Sequence, residues 1–228
     1  ATIQAGIGAL LKNYWNAEFQ YYYRKDAFDS EENLENLNDN NRQKITGFNV
    51  MAQIDLLDNI LLPRDGIFIR AEYENSQKIF GSSVNYQFYQ AWGKIYKTFH
   101  LNTYGITGYY HQGTNETPPY MTTLFEGSNA FAGVKEFQLH GSSLGFVRID
   151  YRYKHKKDIF AHLMLNWFFN AASENSTLRA NNVWGWGTGI TLLSPVGPLE
   201  FTWTWGPKNI YSSKVQQSLF HFSAGYKF

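Results

Sequence analysis

The sequence predicts an all-β fold, a transmembrane antiparallel β-barrel of about 12 strands with a long extracellular loop. Three observations lead to this prediction. The chain of 228 residues is 18% aromatic and only 17% charged, with a net charge of +1. Its apolar side chains alternate with polar ones over segments of about 10 residues, the length of a spanning strand. The polar faces of these segments carry ionisable groups, which an oil-like core would not accept.

Composition excludes several other classes of protein. The mean hydropathy of −0.41 and the lack of any run of about 18 apolar residues exclude a helical membrane protein. A hydrophobic fraction of 43%, rich in Tyr, Phe and Trp, excludes a disordered chain. The absence of cysteine excludes a disulfide framework, a thiolate nucleophile and a cysteine zinc site. The near-neutral charge provides no field to attract nucleic acid, so no nucleic-acid partner is expected.

The C-terminal segment shows the alternation most clearly. A sandwich edge strand would show such a pattern only by chance, whereas aromatic positions ending on a terminal Phe are common in bacterial outer-membrane strands. The last two of these positions are therefore predicted to be a signal for the outer-membrane assembly machinery. The residues that share the aromatic face are Phe220, Phe222, Ala224, Tyr226 and Phe228.

Two further segments place ionisable side chains on the face opposite their apolar residues. Arg148, Asp150 and Arg152 alternate with Val147 to Tyr153, and Glu200 alternates with Leu199 to Trp205. A water-filled or hydrogen-bonded lumen accepts such groups, whereas a soluble barrel would turn the bulky apolar side chains inward. These charged positions are therefore predicted to form the lumen wall. The other inward charges are predicted at Glu18, Arg24, Arg70, Glu72 and Glu74.

Alternation and turn signals divide the chain into eleven candidate strands in one domain, residues 1–228. Long polar stretches at 26–42 and 113–142 are predicted to be loops on one side. Short turns are predicted on the other, at 57–65, 154–157 and 196–197. Outer-membrane barrels normally have an even number of strands, so one strand is unaccounted for. Either a first strand precedes Ala1, or 1–12 does not span, or a second copy completes an open barrel. No signal peptide is visible, as expected of a mature chain. The candidates are 2–12, 14–25, 43–56, 66–76, 83–97, 99–112, 143–155, 158–170, 182–194, 198–206 and 217–228.

The closing segments resemble those of a known family. Residues 193–201 read LSPVGPLEF, Trp205-Gly206-Pro207 follows, and the chain ends HFSAGYKF. These closely resemble the final hairpin of the bacterial surface antigen (BamA-like) superfamily, which includes the translocator barrels of patatin-like autotransporters. Pro63-Arg64-Asp65-Gly66 is similar to a periplasmic turn of that family, and 113–142 occupies the place of its pore-entering sixth loop. The resemblance therefore implies that this long extracellular loop folds towards the lumen.

Two positions differ from the family pattern. The resemblance implies an Arg-Gly-aromatic loop tip whose arginine pairs with an aspartate of the inner wall. The tip here is Phe131-Ala132-Gly133-Val134, with Ala132 in place of the arginine, and Asn170 stands in place of the aspartate. Their joint loss is physically consistent, because an unpaired buried carboxylate would cost several kcal/mol. The resemblance thus implies a minimal barrel, without the family's polypeptide-binding domains or the patatin domain.

The remaining motifs give weaker indications. Gly185, Gly187 and Gly189 alternate on the inner face, where they predict either a docking surface for the loop or relief of curvature. His140-Gly141-Ser142-Ser143 has no matched acid or oxyanion arrangement, so no catalytic residue is assigned. The six histidines have no metal-ligand spacing, and neither metal nor cofactor is expected.

These observations predict a protein of the bacterial outer membrane that is not an enzyme. It is expected to be a protein translocator or membrane anchor of autotransporter type, with the lipid bilayer and a polypeptide passenger as partners. One alternative is a structural barrel that forms a homodimer through an open sheet edge, because unpaired backbone groups are too costly in lipid. Another is a passive pore, which would be narrow at this strand number.

Overall fold

The computed structural model describes residues 2–27, 42–114, 132–134, 143–172, 179–180, 183–195, 197–209 and 212–225. Their strands form a single antiparallel sheet, and the described residues contain no helix long and apolar enough to cross a membrane. The strands are β1 (Thr2–Leu11), β2 (Trp15–Ala27), β3 (Arg42–Asp55), β4 (Gly66–Ser76), β5 (Tyr86–Phe99), β6 (Asn102–Gly113), β7 (Ser143–Lys156), β8 (Ile159–Ala172), β9 (Arg179–Ala180), β10 (Val183–Ser194), β11 (Gly197–Asn209) and β12 (Ser212–Ala224).

Each long strand corresponds to one predicted candidate. Each long strand pairs with the next long strand along the chain. The two-residue β9 lies outside this order and pairs with β8, which also pairs with β10. The largest differences are at strand ends. Strand β5 starts later than predicted, because Lys78–Phe80 forms a 3-10 turn that Gly81 ends with a φ of 83°. Strand β12 starts earlier, because its Ser212 pairs with Asn209 of β11.

The two faces of the sheet carry the predicted chemistry. On the outer face Trp203 and Phe220 are half or more exposed, and Phe201 packs on Phe222 with ring centroids 4.9 Å apart. On the inner face of the same hairpin, Thr202 and Thr204 are buried. Aromatic side chains thus cover the outside, where a hydrocarbon environment would stabilise them.

The inner face curves round on itself. Side chains from β5, β6, β7, β8, β10, β11 and β12 line one common cavity. A sheet whose distant strands face each other across one interior is a barrel wall. The chain therefore has the predicted barrel architecture, and its interior contains the groups described below.

Part of the interior is apolar. Phe146 and Phe168 are fully buried on the inner face, together with Leu144, and Phe146 stacks on Tyr109 at 5.8 Å. A bulge between Gly145 and Phe146 shifts the pairing of β7 with β8. The prediction assigned most rings to the outside, whereas the rings of this cluster lie inside.

The first strand is a full strand. Residues Thr2–Leu11 pair with β2 along their whole length, from Thr2 opposite Arg24 to Leu11 opposite Trp15. Ten residues are enough to span a hydrocarbon layer as a tilted strand, which removes the alternative that 1–12 does not span. Within the described part of the chain β1 pairs only with β2, and all ten of its residues are exposed.

Candidate functional site

The tip of the long loop lies inside the barrel. Of the predicted tip residues, Ala132, Gly133 and Val134 fall in the described part, whereas Phe131 lies outside it. Ala132 is 0% exposed and Val134 is 2% exposed. A short segment this deeply buried packs against the wall of the barrel and is shielded from solvent. The sequence predicted a tip at residues 131–134 but did not predict its partner on the wall.

That partner is β11, at Gly206. The tip glycine has a φ of 86°, and a Cβ on it would lie 2.2 Å from the Trp205 carbonyl carbon. A Cβ on Gly206 would in turn lie 2.7 Å from the Gly133 carbonyl oxygen. Both positions therefore require glycine for the close approach of two backbones.

One side chain of the neighbouring strand completes this contact. The Gln217 amide on β12 donates a hydrogen bond from Nε2 to the Gly133 carbonyl oxygen at 3.1 Å. The amide group is neutral, so the tip is held by shape and a neutral hydrogen bond rather than by an ion pair. This arrangement agrees with the presence of Ala132 where the family resemblance implies an arginine.

The predicted glycines of β10 lie beside other residues of the barrel wall. A Cβ on Gly189 would lie 2.4 Å from His162 Nε2, and one on Gly187 would lie 2.9 Å from Thr204 Cγ2. These two glycines therefore make room for neighbouring wall side chains. Gly185 is buried opposite Asn166 of β8, whose amide atoms have no hydrogen-bond partner among the described residues.

The predicted charges of the wall gather at one end of the lumen. Arg148 donates to Asp150 from Nε at 2.7 Å, and its Nη2 lies 2.6 Å from the same carboxylate oxygen. Arg152 and Glu200 line the same cavity, of about 330 Å³. The sequence placed these four residues on one face, and the curvature of the sheet brings them together.

A second polar network lies on β2, β4 and β5. Tyr22 donates to Glu74 Oε1 at 2.6 Å, Tyr86 donates to the same oxygen, and the two hydroxyls are 2.9 Å apart. Arg70 forms an ion pair with Glu72 at 3.2 Å. Because Glu74 is only 7% exposed, the two tyrosines satisfy a carboxylate that would otherwise be costly to bury.

A segment that the sequence assigned to a turn partly covers the charged cavity. We call residues 56–65, between β3 and β4, the strap. Arg152 donates from Nη1 to the Pro63 carbonyl oxygen at 3.1 Å, and Thr98 donates to the Arg64 carbonyl oxygen at 2.7 Å. Of the leucines in the strap, Leu57 and Leu62 are partly buried, whereas Leu56 and Leu61 are exposed.

An exposed ion pair fastens the end of the strap. Lys97 Nζ lies 2.9 Å from Asp65 Oδ1. This hydrogen bond from the Lys97 ammonium lowers the pKa of the Asp65 carboxyl below its usual range. The strap is thus attached to the wall at several points, one of which depends on pH.

Several predicted residues fall outside the description. Tyr226 and Phe228 lie beyond the described residues, as does the Asn170 side chain, although the Asn170 backbone pairs with Gly145. Of the stretch 140–143, Ser143 alone is described, and its hydroxyl donates to Gln112 Oε1 at 2.9 Å. The described residues contain no cluster of three metal-ligating side chains.

Comparison with known proteins places this barrel in a family. The model of the Omp85 superfamily domain matches residues 1–228. The chain belongs to the Omp85 superfamily. No curated protein matches this Omp85 chain in sequence.

Solved structures support the fold. BamA from Haemophilus ducreyi lacking POTRA domains 1–3 is similar with a TM-score of 0.70 and 11% identity, over 98% of this chain and 54% of that one. CdiB from Acinetobacter baumannii is similar with a TM-score of 0.66 and 10% identity, over 97% of this chain and 41% of that one. The Omp85 chain thus spans about half the length of these structures or less.

Family and fold together place the Omp85 chain in the bacterial outer membrane. Its outer aromatic face therefore contacts lipid. Outer-membrane barrels have short turns on the periplasmic side and long loops outside. The strap is accordingly at the periplasmic end, and the loop that carries the tip starts at the extracellular end.

Proposed function

We propose that residues 1–228 form one barrel domain that acts as a protein translocator or membrane anchor of autotransporter type, with residues 127–141 gating the lumen. The observation that carries this proposal is the contact of Gly133 with Gly206, with Ala132 and Val134 buried beside it. A loop tip held inside a barrel occupies the path that a passing polypeptide would take. We assign no catalytic step to this barrel.

The way in which the tip is held supports a gate rather than a permanent plug. A neutral hydrogen bond such as that from Gln217 contributes about 0.5–1.5 kcal/mol, and burial of a side chain such as Val134 contributes about 1.5–3 kcal/mol. These two contacts together contribute a few kcal/mol. A polypeptide that binds the barrel with the tip released more tightly than the barrel with the tip docked, by more than that contribution, would shift the equilibrium to the released state.

The packing of the interior argues against free diffusion of solutes. Phe146, Phe168 and the tip residues Ala132 and Val134 are buried inside the barrel, and the Arg148–Asp150 pair lines the cavity beside the strap. A passive pore needs a continuous aqueous channel, which wide barrels provide and narrow ones fill with side chains. We therefore favour a gated path for an extended chain.

The test uses the full-length protein in its own outer membrane. Surface biotinylation followed by mass spectrometry would compare cells carrying the wild-type protein, a variant lacking 127–141, and Gly206→Ala. We expect both changes to alter the amount of particular polypeptides at the cell surface. Gly108→Ala is the matched control, because a Cβ on Gly108 meets nothing within 4 Å. Identical surface proteins in all four strains would refute the translocator proposal.

A second candidate function rests on strand β1. Its residues are all exposed, and within the described part of the chain its free edge has no partner strand. Unpaired backbone groups in hydrocarbon are costly, so this edge must pair with another strand, and a second copy of the chain is one source. Such a barrel would be a structural dimer that transports nothing. Cross-linking in native membranes that detected monomers only would exclude it.

A further inference from the structure

The turn between β7 and β8 is basic. Residues 154–158 read KHKKD, so three lysines accompany one carboxylate and two positive charges are in excess. Lys156 and Lys157 are exposed, and within the described part of the chain the ammonium groups of this turn form no hydrogen bond or ion pair. Strand β7 begins where the long extracellular loop ends, so the turn at its other end is periplasmic.

A β-bulge turns Lys156 towards the lipid face. Lys154 pairs with the inner residue Phe160, whereas Lys156 pairs with Ile159, so one extra residue lies between the two lysines on β7. Ile159 is on the face of β8 that also carries Leu163, which is half exposed. Because directly opposite residues share a face, Lys156 points outward, and without the bulge it would share the inner face with Lys154. Bulges at the rims of barrels redirect side chains in this way.

Apolar and aromatic side chains adjoin this basic turn on the outer face. The Lys154 amide donates to the Leu101 carbonyl oxygen at 2.8 Å, which joins the β7–β8 turn to the β5–β6 turn. Leu101 and Tyr153 are exposed beside this contact. Phe99 and Tyr104 are more than half exposed, with ring centroids 6.4 Å apart. Aromatic side chains in this position are typical of the boundary between membrane and water.

These two turns offer two kinds of contact on one surface. We call residues 99–101 and 153–157, together with Tyr104, the rim surface. Its ammonium groups lie at the periplasmic edge, and its rings extend from there along the lipid face. A soluble anion would use the ammonium groups alone, and the hydrocarbon chains of an uncharged lipid would use the rings alone. A phospholipid with an anionic headgroup matches both.

We infer that the rim surface binds an anionic phospholipid of the periplasmic leaflet, with the phosphate at Lys156 and Lys157 and the acyl chains against Tyr153 and Tyr104. Lysine ammonium groups donate charge-assisted hydrogen bonds to phosphate oxygens. Each lysine beside an anionic headgroup raises the affinity roughly fivefold. The rim surface lies outside the barrel, whereas the loop tip lies inside it, so lipid binding does not depend on the proposed gate.

Four probes separate the lipid from other anionic partners. Native mass spectrometry of the full chain in detergent micelles would measure binding of phosphatidylglycerol, phosphatidylethanolamine with the same acyl chains, glycerol phosphate and polyglutamate. We expect phosphatidylglycerol to bind at least about fivefold more tightly than phosphatidylethanolamine, which carries no net charge. Glycerol phosphate should bind more weakly than either lipid, because it lacks the acyl chains. Equal binding of the two lipids would overturn the inference, as would tighter binding of glycerol phosphate or of polyglutamate.

Variants of the two lysines locate the lipid on the rim surface. Lys156→Gln combined with Lys157→Gln is expected to weaken binding of phosphatidylglycerol about 25-fold, and the corresponding pair of Lys→Arg changes is expected to retain it. Lys78→Gln is the matched control, because Lys78 is an exposed lysine of the extracellular end, and it is expected to change nothing. A heat-dependent shift in gel mobility confirms that each variant is folded. Unchanged affinity for phosphatidylglycerol in the folded double glutamine variant would contradict the assignment.

Discussion

Replacement of Gly206 by alanine tests how the loop tip is held. The added Cβ would lie 2.7 Å from the Gly133 carbonyl oxygen and 2.9 Å from its carbonyl carbon and Cα. Ordinary van der Waals contacts of a Cβ begin at 3.4 Å, and the atoms it meets belong to a backbone that cannot rotate away. Because Gly206 has no positive φ, alanine fits its own backbone and the effect is on the tip alone.

The expected size of the effect on release of the loop tip follows from this overlap. Insertion of one carbon into a closely packed contact costs about 1–3 kcal/mol. If the docked state alone bears that cost, the equilibrium for release of the tip shifts by a factor of about 5 to 150. The chain has no cysteine, so Val134→Cys introduces a single thiol at a position that is 2% exposed when docked. Its rate of maleimide labelling then measures how often the tip is released.

We expect Gly206→Ala to raise that labelling rate by the factor given above. Gly108→Ala in the same Val134→Cys background is expected to leave it unchanged, because the space beside Gly108 is open. An unchanged rate in Gly206→Ala would refute the argument that close backbone approach at this position holds the tip.

Three further predictions concern other parts of the barrel. Gln217→Leu removes the hydrogen bond to Gly133, which contributes about 0.5–1.5 kcal/mol. We therefore expect the rate of maleimide labelling at position 134 to rise by a factor of about 2 to 13. No rise would show that this bond does not hold the tip. The Lys97 ammonium lowers the pKa of Asp65, so its stabilisation is present above the unfolded carboxyl pKa of 3.8 and is lost as pH falls through the lower folded value. In urea unfolding between about pH 5 and pH 1, the wild-type protein should lose this stabilisation and Asp65→Asn should not show the loss. Identical pH profiles of the two proteins would contradict it. Phe201→Arg places a charge on the lipid face and should destabilise the folded barrel by about 2–4 kcal/mol near the midplane in urea titrations in lipid; a neutral effect would contradict the assignment of the faces.

The strand pattern was predictable because the two faces of this barrel meet different solvents. In β7, Arg148, Asp150 and Arg152 cannot share a face with Ile149 and Tyr151, so period-two alternation shows both the strand and its orientation. The same signal gave all eleven long strands. The strand ends were harder to predict, because they depend on local turns. Gly81 ends the 3-10 turn before β5, and Asn209 of β11 pairs with Ser212 of β12.

The wall partner of the loop tip was not predictable in the same way. Alternating glycines suggested β10, yet Gly189 accommodates the ring of His162 and the tip lies on Gly206. Which side chain lies opposite a glycine depends on register between strands, and a single sequence does not show register. Phe146 lies two residues before Arg148 with no shift of register between them, so the same alternation places its ring on the inner face.

The strap was missed because its sequence has no period. Residues 57–62 combine leucines with Asp58 and Asn59, which indicate a turn. Asp58 does accept hydrogen bonds from the Arg64 and Asp65 amides, at 2.8 and 3.1 Å. The turn was therefore identified correctly, whereas its position at the cavity follows from Arg152, which lies 89 residues further along the chain.

The conductance of single barrels in planar bilayers tests most directly whether the loop tip closes the lumen. We predict that the wild-type protein is closed for most of the recording and that deletion of 127–141 produces long open events. Gly206→Ala should open more often than Gly108→Ala. Equal conductance of the wild-type and deleted barrels would contradict closure by the tip.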